Sequence, residues 1–208
     1  MYTPRSFRVD DVAILHALIR EHSFGILTSQ DGARPVATHL PFMIDPERGG
    51  PNGTLIAHMA RANPHWKTWT DETQVLAIFQ GAHAYVSPGW YESQQTVPTW
   101  NYATVHAYGT PRLVHDPDEL RAMVSPLVDL HEDYARSGWD RELMEPVMDR
   151  ELKAIVGFEI PIDSLEGKFK FNQNRSREDQ RRVAEQLQRS ADPLERASAE
   201  IMRRNLAG

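Results

Sequence analysis

Apolar side chains recur at Val12, Leu15, Leu18 and Ile19, a helical spacing, with Asp10 or Asp11 placed to cap the first turn. The period then changes. "SFGILTSQ" (23–30) and "ARPVATHLPFMI" (33–44) read as strands joined at Asp31-Gly32, a strong hairpin signal. After the turn-rich "PERGGPNG" (46–53), "TLIAHMA" (54–60) resumes as a third strand. "VLAIFQG" (75–81) and "AYVSPGWY" (84–91) are expected as two further strands, and the polar loop "ESQQT" (92–96) separates them from "NYATVHAYGTPRLVH" (101–115).

From Asp116 the pattern turns helical. Asp116-Pro117 supplies an N-cap and a first-turn proline for a helix through "DELRAMV" (118–124), and Pro126 is expected to break or kink it. "AIVGFEIPI" (154–162) is rich in β-branched residues and marks a late strand. Two more helices follow. Ser176 with Asp179 resembles a capping box, and Asp192-Pro193 opens a helix with Leu194, Ala197 and Ile201 on one face. About six strands and then helices make an α+β pattern whose strand-rich part reads as a barrel. The expected organisation is a domain over 1–175, with a helical insertion at about 116–153, and a helical tail over 176–208.

Composition narrows the chemistry. A chain of 208 residues can bury a sizeable core. Cysteine is absent, which excludes disulfides, thiolate catalysis and iron–sulfur ligation and fits a cytoplasmic location. No apolar run is long enough for a membrane span, and no membrane association is expected. The formal charge of −6 argues against non-specific nucleic-acid binding through a broad basic surface.

Within that frame, "AHMARANPHW" (57–66) stands out. Asn63-Pro64 predicts a short helix, "PHWKTWTDE", directly after a strand. Such a corner directs backbone N–H groups and the positive helix end outward, and Arg61 adds a guanidinium suited to phosphate oxygens. Ordinary capping beside a solvated arginine explains the same residues. "YVSPGWY" and "VPTWNY" concentrate Tyr85, Trp90, Tyr91, Trp100 and Tyr102 among polar donors, a setting for a flat, polar-edged ring or for aromatic core packing. "GKFKFNQNRS" (167–176) gathers Lys168, Lys170, Gln173, Asn174 and Arg175, with the lysines alternating against Phe169 and Phe171. The nine histidines show no metal-ligand spacing and are read as structural or surface residues, so no metal site is expected. No GxGxxG, Walker or GxSxG motif is present, and no side chain is assigned a catalytic role.

Taken in order, "SFGIL", "THLPF", "HMARANPHW", "AYVSPGWY", "VPTWNYATVHAYG", "AIVGFEIPI" and "LEGKFKFNQNR" resemble the PaiB-like family of FMN-binding negative transcriptional regulators over roughly residues 1–190. That family is similar to the FMN-binding split barrels. The resemblance implies a six-stranded split β-barrel and a homodimer with flavin between subunits. It implies that Thr38, His39 and Leu40 run beside the isoalloxazine ring and that His58, Arg61 and Asn63 grip the phosphate. Trp100, Asn101, Lys168, Gln173, Asn174 and Arg175 complete the implied site. "ESQQTVPTWNY" is shorter than the family's usual connection, and "KFNQNR" stands where "KLSQNR" is commoner.

The function so implied is an FMN-binding homodimer of regulatory type. A flavin-dependent oxidoreductase is the alternative, and a haem-binding or haem-degrading split barrel is a third reading by shared architecture. DNA is a possible partner that the residues themselves do not support. The tail stretch "RSREDQRRVAEQLQR" mixes Glu178, Asp179 and Glu185 among its arginines, a pattern of solvated or packing helices.

Overall fold

A computed structural model describes residues 1–207. Among these residues there are nine strands: β1 (Arg8–Val9), β2 (Phe24–Asp31), β3 (Arg34–Pro41), β4 (Met43–Asp45), β5 (Thr54–Ala60), β6 (Val75–Val86), β7 (Thr99–Gly109), β8 (Arg112–Val114) and β9 (Ile155–Lys170). Six of them have seven or more residues, and β1, β4 and β8 are two- or three-residue additions. Five α-helices accompany them: α1 (Val12–Glu21), α2 (Pro117–Ala135), α3 (Glu145–Leu152), α4 (Arg177–Gln188) and α5 (Pro193–Ala207). The strands are hydrogen-bonded in the order β3-β2-β6-β7-β9-β5-β4, with β1 and β8 also on β9. This is the expected α+β class with an antiparallel sheet. No described helix is long and apolar enough to cross a membrane.

The chain forms two compact units, and β6, β7 and β9 contribute residues to both. One unit comprises residues 1–22, 79–106 and 166–207, and the other comprises 23–78 and 107–165. In the first unit the Asp11 carboxylate caps α1 by accepting from Ala13 and Ile14 N–H. Its Leu15 lies so close to Gly167 of β9 that any side chain there would collide with it. Helices α4 and α5 close this unit, and Val183, Leu187, Ala199 and Met202 are buried. Ser176 caps α4 through the Asp179 N–H, whereas the Asp179 carboxylate accepts from Glu92 N–H instead of completing a capping box.

In the second unit β2 and β3 form the expected hairpin, with Asp31 opposite Arg34 and Gly32 at φ 58°, the left-handed conformation a glycine-first turn requires. Val156, Phe158, Ile160 and Ile162 of β9 and Leu55, Ala57 and Met59 of β5 supply buried apolar side chains. Asp116 caps α2 by accepting from Asp118 and Glu119 N–H, with Pro117 in the first turn. The helix is not broken at Pro126, one of the two outcomes expected there: α2 continues through it. Another difference is that β6 is one continuous strand where two were expected.

Candidate functional site

In the second unit, strand β3 pairs with β2 and with no other strand among the described residues. Its other edge therefore offers backbone N–H and C=O groups without ladder partners. Thr38 and Leu40 of β3 are half-buried and buried, while His39 is exposed and stacks against the exposed Phe24 at 6.4 Å.

Behind Thr38 lies a hydrogen-bonded chain. The Asn63 side-chain amide donates to the Thr38 hydroxyl at 3.2 Å. That hydroxyl is 2.8 Å from His65 Nδ1, and Ser29 Oγ is 2.8 Å from His65 Nε2. His65 is only 1% exposed, and burial holds its pKa below the ordinary histidine value. A neutral imidazole donates from one nitrogen and accepts at the other, so the chain closes with every group partnered. The sequence reads His65 as a structural or surface residue and gives no sign of Ser29, because nothing in "LTSQ" signals a partner 36 residues away.

The corner at Asn63-Pro64 differs from its expected form. The helix is one 3₁₀ turn, His65–Thr68, too short to sum a helix dipole. Two of its leading amides are already used: His65 N–H is held by the Asn63 carbonyl oxygen Oδ1, and Lys67 N–H by Pro64 O. The chain turns away early because Thr70 and Thr73 close a second turn. Trp69 meanwhile packs edge-on against the buried Phe158.

Arg61 also has a structural task. Its Nε donates to Lys153 O at 2.8 Å and its Nη2 to Ile155 O at 2.6 Å, which latches the end of α3 and the start of β9. Its Nη1 makes no hydrogen bond among the described residues. His58, on β5 opposite Gly157, is half-buried, and burial lowers its pKa. In this unit Thr38 and Asn63 are therefore in direct contact, while Arg61, two residues before Asn63, turns its guanidinium to Lys153 O and Ile155 O.

In the first unit the expected residues divide into occupied and accessible. Asn101 is fully buried, and its amide donates to the sulfur of Met202 on α5. Gln173 folds back on its own turn, accepting from Phe171 N–H and donating to Phe169 O. Asn172, the left-handed residue of that turn, donates to Tyr91 Oη, and Arg175 lies over the Tyr91 ring while donating to Thr96. The amide density of "NQNR" thus closes the end of β9. Lys168 donates to Tyr2 O between the Tyr2 and Tyr102 rings. Lys170 donates to Trp100 O and to Thr99 Oγ1, and burial, aided by Lys168, lowers its pKa. Trp100, edge-on to Tyr85, and Asn174 are exposed.

Comparison with known proteins now gives this geometry a context. Residues 1–164 match the family described as "Putative FMN-binding domain". The chain belongs to that family. Over 208 residues it is 35% identical to the protease synthase and sporulation protein PAI 2 of Bacillus subtilis, covering 99% of this chain and 98% of that protein. An uncharacterised protein of Emericella nidulans is 32% identical over 210 residues, covering 81% and 83%. Among solved structures, the flavocytochrome Anf3 of Azotobacter vinelandii superimposes with a TM-score of 0.61 at 13% identity, covering 81% of this chain and 72% of that one. A putative 5-nitroimidazole antibiotic resistance protein of Bacteroides thetaiotaomicron gives 0.55 at 16%, covering 77% of this chain and 85% of that one. Such identities speak for the fold, which is that of the FMN-binding split barrels, as the sequence resemblance implied.

The residues of the β3 corner fit the family's flavin in kind. A flat ring with a polar edge suits an unpaired strand edge beside a hydroxyl, and Arg61 brings a cation for a phosphate.

Proposed function

We propose that the chain binds FMN at the open edge of β3 and acts as a homodimeric regulatory flavoprotein of the PAI 2 type. The observation that carries the reading is the free edge of β3 at Thr38, His39 and Leu40, backed by the Asn63–Thr38–His65–Ser29 chain. An unpaired strand edge can hydrogen-bond the polar rim of a ring, and a buried, fully partnered chain behind it fixes the Thr38 hydroxyl in place. The phosphate falls to Arg61, whose Nη1 remains available while Nε and Nη2 hold β9. His58 lies on the strand that leads into this corner. Bound FMN supplies one- and two-electron redox chemistry that side chains do not.

The regulatory assignment rests on the end-to-end identity with PAI 2, a protein named for protease synthesis and sporulation. The exposed side chains of the first unit, Trp100 and Asn174, with the half-buried Lys168 beside them in the proposed site, are those a partner subunit can reach, and Arg175 fixes the turn that presents Asn174. Asn101 and Gln173 act by shaping that surface from within.

Titration of FMN and riboflavin against wild type, Arg61→Ala and Arg61→Lys tests the site. The expected result is a loss of about tenfold or more in FMN affinity for Arg61→Ala, with riboflavin nearly unaffected. Equal losses for both flavins, together with a lower melting temperature, would assign Arg61 to the latch on β9 alone.

A further inference from the structure

A cavity of about 580 Å³ lies in the second unit between α2 and the strands β4, β5 and β9, a volume within the range of small-molecule sites. Its polar wall is built around Glu159. This carboxylate is 5% exposed and stands on β9 opposite Arg112 of β8 on one side and Ile56 of β5 on the other. A buried carboxylate is unfavourable unless paired, and here two arginines serve one acid. Arg48 holds it bidentately, Nη1 to Oε1 at 2.6 Å and Nη2 to Oε2 at 2.8 Å. Arg112 approaches Oε2 with Nη2 at 2.6 Å and Nε at 3.2 Å.

Within the Arg48–Glu159–Arg112 cluster itself one positive charge and several N–H donors are left over, and Glu119 and Asp45 on the wall offset that charge from a distance. Arg48 Nε and Arg112 Nη1 make no hydrogen bond among the described residues, and both guanidinium groups are about half exposed. Glu119 stands 3.7 Å from Arg112 Nη1, beyond hydrogen-bonding distance, on an exposed turn of α2. Asp45, also on the cavity wall, accepts the Glu47 N–H of its own turn. The rest of the lining is largely apolar, from Met43, Ile44, Ile56 and Met123.

We propose that this cavity binds a small carboxylate with an apolar body, the acid group meeting Arg48 and Arg112 and the body lying among the methionine and isoleucine side chains. Arginine forks match carboxylates in shape and charge, and the apolar walls favour a ligand that is not an inorganic anion. Glu119 competes weakly for the same guanidinium. The site is independent of the flavin reading, since none of its residues belongs to the β3 corner.

Calorimetric titration of the full chain with octanoate, 1-octanol and octylammonium tests the proposal. Octanoate is expected to bind saturably, one per chain, and the other two at least about tenfold more weakly. Arg112→Gln, which leaves Glu159 paired with Arg48, is expected to weaken octanoate about tenfold or more. Glu119→Gln is expected to strengthen it several-fold, a gain that a purely structural role for these residues does not produce. If Arg112→Gln fails to fold, Glu119→Gln at its exposed position decides alone. The proposal is overturned by absence of saturable octanoate binding to the folded protein, by equal binding of 1-octanol, or by an octanoate affinity that Glu119→Gln leaves unchanged or weakens.

Discussion

His65 shows how much depends on a single buried side chain. It joins Ser29 to Thr38, and Thr38 to Asn63, without carrying charge. Burial lowers the pKa of His58, of His65 and of His106, the last also through the N-terminal amine and against Glu166. The unfolded chain takes up these protons near pH 6.5, while the folded chain resists them to lower pH. Unfolding therefore takes up protons below about pH 6.5, and stability falls as the pH drops through that window. Chemical denaturation at pH 7.5, 6.5 and 5.5 should show the decline, with a shallower slope for His65→Gln. Stability that holds steady or rises on acidification would contradict it. Asn63 was legible as a capping residue from "RANPHW", and its Oδ1 does hold the His65 N–H. The Thr38–His65–Ser29 chain behind it was not, because His65 lies 27 and 36 residues from its two partners and only folding aligns them.

Where local chemistry decides an element, it was readable in advance. Asp31-Gly32 forms its hairpin, and Asp116-Pro117 starts α2. Elements whose ends depend on packing were not. "VLAIFQG" and "AYVSPGWY" are expected as two strands, yet Gly81 lies within one continuous strand and marks close approach: a side chain there would meet Leu18 of α1 and His22 just after it. The same logic governs Gly109 at the end of β7, where an added Cβ would lie 2.2 Å from Pro161 O and 2.7 Å from Ile160. Backbone cannot yield as a flexible side chain can, so Gly109→Ala should cost about 3 kcal/mol or more, read as a lowered denaturation midpoint. A midpoint within ~0.5 kcal/mol of wild type would show that β9 moves aside freely.

For the whole molecule, the family motifs made the fold class legible, whereas the Arg48–Glu159–Arg112 cluster, assembled across 47 and 111 residues, was invisible. The proposed homodimer would give a place to large apolar side chains that each unit leaves exposed, Val97 and Trp100, at 54%, in the first and Phe24, at 68%, in the second. Exposed side chains of this kind favour a partner when they form a patch. Sedimentation at micromolar concentration should show a dimer, and a folded monomer alone would count against the shared flavin site. In the tail, Arg181 is bound by Glu178 and Glu185, and α4 packs against α5, an arrangement suited to a packing helix more than to a DNA reader. Flavin binding itself is the most direct test. Titrating the purified full chain with FMN, followed by quenching of flavin fluorescence, should give saturation at one FMN per chain and a perturbed flavin absorption band. A folded chain that leaves FMN fluorescence unquenched at up to about 100 μM, a concentration at which binding of roughly −5.5 kcal/mol would already be half complete, would refute the flavin site.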